Sequence, residues 1–246
     1  MSRKNPTPDE TGISLDALQS RSERLGEWIG ANPTPILGTL GALLVGALVV
    51  GVVQSSRQDS AREAGEALAS VQRTYRSAMG AEPGSFEIAE PANAAAALAA
   101  REQAVAGFEG VIDEYDGSVT AALAALEQGE LMVELGRSGD AVVAWEAAAQ
   151  GAQGALRGLL LERIGAAAEV DGELGVAAAA YERAGAIANY PLRYDALAEA
   201  AHLRARAGEA ALAVALLQQL ETEAPGFLLP DHIDWELREI RALQAR

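Results

Sequence analysis

The sequence predicts an all-α protein in which one membrane-spanning helix near the N-terminus is followed by a solenoid of stacked helical hairpins. Three observations carry that expectation. Half of the 246 residues are hydrophobic but only 4% are aromatic; the apolar half is mostly alanine, a strong helix former, and residues that favour strands are sparse. Pro35 to Val53 runs for 19 residues without a strongly polar side chain. Beyond that run, glycines, alanines and bulky residues recur at a fixed interval of 36.

Composition also excludes. Nineteen basic residues stand against 35 acidic ones, giving a formal net charge of -16 and a pI near 4.5. Such a field repels phosphate backbones, so nucleic acid is not an expected partner. The absence of cysteine removes disulfides, thiolate metal sites and thiol nucleophiles.

Taken in order, residues 1–34 read as an N-terminal tail with Pro6 and Pro8, then a short juxtamembrane helix from an N-cap at Ser14. Leu15, Leu18, Leu25 and Ile29 lie near one face of it, and Trp28 suits a membrane interface. Residues 35–54 form the expected transmembrane helix. No charge occurs between Glu27 and Arg57, and 19 residues at ~1.5 Å each reach about 28 Å, near the thickness of a bilayer's hydrocarbon core. A buried core helix would show a polar face, and a cleavable signal would have a shorter apolar run and a better cleavage site than Val53-Gln54-Ser55-Ser56. Within the span Gly38, Ala42 and Gly46 recur every four residues. That spacing suits close packing of a membrane partner or a second copy, and equally a glycine-tolerant anchor. Arg21 and Arg24 before the span are matched by Arg57, Arg62 and Arg73 after it, so charge does not orient it. Residues 55–79 form an amphipathic connecting helix, with Ala64, Leu68, Val71 and Tyr75 on one face. Pro83, Gly84 and Pro91 make 80–91 a loop.

The repeat domain is expected over 92–229. Gly136, Gly172 and Gly208 share the 36-residue interval with Ala141, Ala177 and Ala213, and with Trp145, Tyr181 and Leu217. An interval of this length signals stacked helix pairs. A small residue in the first helix admits the second, and the turn glycine supplies positive φ. Residues 230–246 form a capping helix, with Ile233, Trp235, Leu237 and Ile240 set to cover the last repeat.

These positions resemble the tetratricopeptide repeat. The first unit has Gly129, Met132, Gly136, Ala141, Trp145 and Ala148; the second Leu161, Ile164, Gly165, Gly172, Ala177, Tyr181 and Ala184; the third Leu197, Ala201, Gly208, Ala213, Leu217 and Pro225. Ala104, Phe108, Val111, Ile112 and Tyr115 resemble the second helix of an earlier unit. With the anchor in front, the arrangement is similar to a family of bacterial single-pass inner-membrane tetratricopeptide-repeat proteins, which includes an ancillary subunit of the Sec translocon. The repeats are also similar to those of a periplasmic cell-division coordinator. This resemblance implies a cytoplasmic N-terminus and a periplasmic repeat domain. It further implies that the first helices line a peptide-binding groove at Glu130, Glu134, Glu162, Glu169, His202 and Arg206, suited to basic or amphipathic peptides. A carboxylate clamp of the kind some repeat domains use is not expected, because Lys4 is the only lysine.

No catalytic constellation and no cofactor are expected. His202 and His232 sit in no recognisable nucleophile or metal motif. Asp231, His232, Asp234 and Glu236 could be drawn as a metal cluster, but acidic residues at a helix start complement its dipole. The expected function is a membrane-anchored periplasmic scaffold or adaptor for proteins, ancillary to the translocon or chaperone-like for exported chains. The alternative is a structural assembly factor for envelope or division complexes, forming homo-oligomers through its membrane helix.

Overall fold

The computed structural model of the chain describes residues 58–82, 88, 90–231 and 233–235. From residue 60 onward these belong to one compact unit, Ser60–Arg246. The expected juxtamembrane helix, the span over 35–54 with Gly38, Ala42 and Gly46, and the C-terminal part of the capping helix lie outside the described residues. No described helix is long and apolar enough to cross a membrane.

Helices and the turns that join them make up the described residues, which contain no strand. Helix α1 covers 58–78. It is followed by α2 (Ala94–Glu114), α3 (Val119–Glu134), α4 (Ser138–Gly151), α5 (Gly154–Val170), α6 (Leu174–Gly185), α7 (Arg193–Arg206) and α8 (Ala210–Glu223). From α2 onward each helix packs against the next, and α3 additionally meets α5. The order is that of four consecutive helical hairpins, α1/α2 to α7/α8.

Local sequence explains where helices begin and stop. Asn93 caps α2 by accepting from Ala96 N–H at 3.2 Å, and Ser118 caps α3 by accepting from Ala121 N–H at 3.0 Å. The turns inside the last three hairpins are alike. Gly136, Gly172 and Gly208 have φ of 73°, 79° and 80°. At each, the residue after the glycine donates to a carbonyl five residues back: Arg137 to Met132, Glu173 to Ala168 and Glu209 to Arg204, all at 2.8 Å. This is a Schellman ending, and glycine enters it without the strain that a Cβ brings at positive φ.

Packing within a hairpin rests on a small residue facing a large one. A Cβ on Gly129 would lie 2.2 Å from the Trp145 ring, and one on Gly165 would lie 2.7 Å from the Tyr181 ring. Both rings are buried, and Trp145 Nε1–H donates to Leu126 O at 3.2 Å, which fixes the indole. In the last hairpin the equivalent pair is Ala201 and Leu217, buried in one cluster. The smaller partner leaves room for the methyl. Tyr190, in the turn between α6 and α7, reaches back over Gly158 of α5, where a Cβ would lie 2.4 Å from its ring.

The core follows the stack. One cluster runs from Leu68 of α1 to Leu203 of α7, with Val71 and Tyr75 packed against it. A second joins Leu197, Ala201, Leu217 and Leu220 to Ile233, which is fully buried at the far end. Trp235, expected on the same capping face as Ile233, is instead 72% exposed.

Gly129→Ala should lower the unfolding free energy by about 1–3 kcal/mol, since overpacking outweighs the ~1 kcal/mol gain in helix propensity. Gly129→Ala with Trp145→Leu recreates the pairing of the last hairpin and should cost less than the sum of the two single changes. Urea unfolding of the four proteins reads this coupling, and strict additivity would refute it.

Candidate protein-interaction site

The six residues expected to line a groove all lie on first helices of their hairpins. Glu130 and Glu134 are on α3, Glu162 and Glu169 on α5, and His202 and Arg206 on α7. The structure engages them with one another's neighbours. Glu134 accepts from Arg101 Nε at 2.7 Å, and Arg101 also donates through Nη1 to Glu90 at 3.1 Å. Glu130 pairs with Arg163 Nε at 3.1 Å. Glu169 accepts from Arg206. Glu162 accepts from the Tyr190 hydroxyl, and His202 is buried at 9% exposure.

These contacts have a common geometry. Arg101 with Glu134 and Ser138 with Asp171 are 33 residues apart; Arg183 with Glu146 and Arg206 with Glu169 are 37 apart. Each therefore joins a helix to the next hairpin. Glu146 accepts a fork from Arg183 at 2.6 and 2.9 Å, the bidentate arrangement that guanidinium favours. Exposed pairs of this kind contribute ~0–1 kcal/mol each, so they set the register between hairpins more than they stabilise the stack.

Titration follows the same contacts. The Arg183 hydrogen bond holds the Glu146 carboxyl below the usual carboxylate range, and Arg101 does the same to Glu90. Glu127 differs. It accepts from Gln72 of α1 at 2.5 Å, yet burial, with nearby Glu130 adding to it, pushes its carboxyl up. Burial, helped by the contact with Glu162, also raises the Tyr190 hydroxyl and keeps it protonated as a donor.

An open surface lies on the other side of the stack. A trough of about 590 Å³ runs between the second helices α2 and α4, with α3 as its floor. Ser118, Ala121, Ala122, Ala125, Gln128 and Met132 line it from one stripe of α3. Ala144, Ala147, Ala148 and Gly151 line it from α4, and Val143 stands at the rim with 70% exposure. The trough exists because α2 and α4 are not among the packed helix pairs, and methyl groups are too short to fill the interval.

Its polar groups are few. Glu109, Asp113 and Asp116 are exposed along the α2 side, and none has an ion pair among the described residues. Asp140 accepts from Arg137 Nε at 2.8 Å. At the floor, Gln128 is 4% exposed. Its amide nitrogen donates to Val105 O at 3.1 Å, which fixes the amide's orientation.

No group of three or more His, Asp or Glu that could hold a metal occurs among the described residues. Sequence reasoning placed the acidic lining on the first helices and missed the trough. Its signal in the sequence is alanine recurring at helical spacing over 121–125 and 144–148. No match to the chain is found among protein-family models, curated proteins or solved structures.

Opposite pH effects follow for two carboxylates. A raised folded-state value means that Glu127 favours the native state below its unfolded value and loses that contribution as pH rises. Glu127→Gln should therefore stabilise near neutral pH and become neutral in acid. Glu146 is depressed, so Glu146→Gln should destabilise near neutral pH and lose its effect as pH falls through the folded value. Thermal melts of both variants across that range decide the signs.

Proposed function

We propose that the chain is a membrane-anchored scaffold or adaptor that binds other proteins through a tetratricopeptide-like repeat domain, held by the predicted span at 35–54. The observation that carries this reading is the hairpin built three times over with the same glycine turn, at 136, 172 and 208. Such arrays present extended surfaces and need no catalytic centre to act. The open trough between α2 and α4 supports it as a second feature.

By the family resemblance, the repeats would face the periplasm, near the secretion machinery or the exported chains that leave it. Association of copies through Gly38, Ala42 and Gly46 is the competing assembly-factor arrangement. The division of charge favours the adaptor. Residues 55–246 carry 15 basic and 30 acidic residues, against four and five in residues 1–34, so the acidic field belongs to the repeat domain, where recognition would occur.

Two measurements test this. Alkaline phosphatase fused after Arg246 should be active and the same reporter before Ser14 silent; the reverse pattern overturns the localisation. A photo-crosslinker placed at Val143, Val170 or Leu228, exposed apolar positions on different parts of the array, should yield discrete protein adducts in intact membranes. Substituting leucine at Gly38, Ala42 and Gly46 should leave those adducts in place. Absence of adducts at all three sites, or their loss on leucine substitution, overturns the adaptor reading.

A further inference from the structure

From the trough between α2 and α4 we infer a docking site for a basic amphipathic helix of a partner protein, on the face opposite the one where the sequence places a peptide groove. The inference rests on the adaptor reading and adds the ligand's chemistry.

Shape sets the first requirement. Most of the floor and the α4 wall is alanine, with Ile112, Met132 and Val143 the larger apolar groups. A trough of this kind is filled by bulky side chains from outside, so the ligand must bring leucine- or phenylalanine-sized residues. The α3 stripe from Ser118 to Met132 is ~21 Å long at 1.5 Å per residue. That length matches about four turns of a helix presenting residues at i, i+3, i+4 and i+7.

Charge sets the second. On the first-helix side Glu130, Glu134 and Glu169 are paired with arginines from the adjacent hairpin. Along the trough Glu109, Asp113 and Asp116 lack such partners, and the only arginine there, Arg137, is engaged by Asp140. Complementarity calls for lysine or arginine flanking the apolar row.

The test uses the full-length chain in nanodiscs of zwitterionic lipid, with empty nanodiscs as the blank. The probe is a fluorescein-labelled leucine–lysine amphipathic helix of about five turns. Controls are a peptide of the same composition in shuffled order and one with glutamate replacing lysine. The ordered basic peptide should bind at least about tenfold more tightly than either control, and salt should weaken it by screening. Asp113→Lys with Asp116→Lys should weaken binding about tenfold or more, and Ala147→Trp should weaken it to a similar extent by occupying the trough. All three substituted positions are exposed, so melting curves should be unchanged.

Equal binding of ordered and shuffled peptides, or indifference to both variants, overturns the docking site. Concentration-dependent dimers that Ala147→Trp abolishes would also overturn it, by giving the trough to a second copy. If partner adducts persist at Val170 and Leu228 while the trough variants change nothing, this inference falls and the adaptor reading stands. Loss of every adduct would strike the adaptor reading instead.

Discussion

Close approach of the two helices in a hairpin is the constraint on which the rest of the structure depends. At Gly129 and Gly165 the first helix offers bare backbone to a buried aromatic ring of the second. A ring held there fixes both the separation and the register of the pair. The last hairpin meets the constraint with a different division of volume, Ala201 with Leu217. One chain thus contains its own control: the sum of the two side chains matters more than either identity, as close-packed interiors require. The same constraint explains the turns. Helices this close need a short, sharply closed connection, and the glycine Schellman ending supplies one three times.

Electrostatics then divides the two faces. The chain has too few arginines to pair with every carboxylate. Those it has over α2 to α7 mostly sit where one hairpin meets the next: Arg101, Arg163, Arg183 and Arg206 each reach an acid of a neighbouring unit. Such placement serves register, since the pairs are exposed and individually weak. Acids left over, among them Glu109, Asp113 and Asp116, gather beside the trough. Scarcity of cations therefore leaves Glu109, Asp113 and Asp116 without an ion pair among the described residues and keeps that edge of the trough negative.

Much of this was legible in one sequence, and the illegible part has a physical reason. The period of 36, the turn glycines and the small-against-large positions are local or strictly periodic, so they show in the residues themselves. Ala64 and Leu68, buried as α1 packs, were also readable from helical spacing. Tyr190 was not. It sits in a connection outside the repeat, and its place over Gly158 depends on how the turn after α6 folds back. The ion pairs were hidden for a similar reason: a glutamate and an arginine 33 or 37 residues apart become partners only after two hairpins stack. Glu130, Glu134, Glu162 and Glu169 lie on first helices, but a register says nothing about which neighbour reaches them first.

The trough follows from the same alanine that makes the stack. Small side chains on α3 and α4 let each helix lie close to its chain neighbours, which is how the helices from α2 onward pack. They also leave nothing long enough to bridge α2 and α4 directly. In a leucine-rich array that interval would close with the protein's own side chains; here it is floored by Ala121, Ala122 and Ala125 and stays open. Alanine therefore acts twice: within a hairpin it permits contact, and between second helices it withholds it. A surface left open in this way gains its stabilisation only when a partner supplies the missing volume, so binding there would rigidify neighbouring hairpins and raise the stability of the stack by mass action.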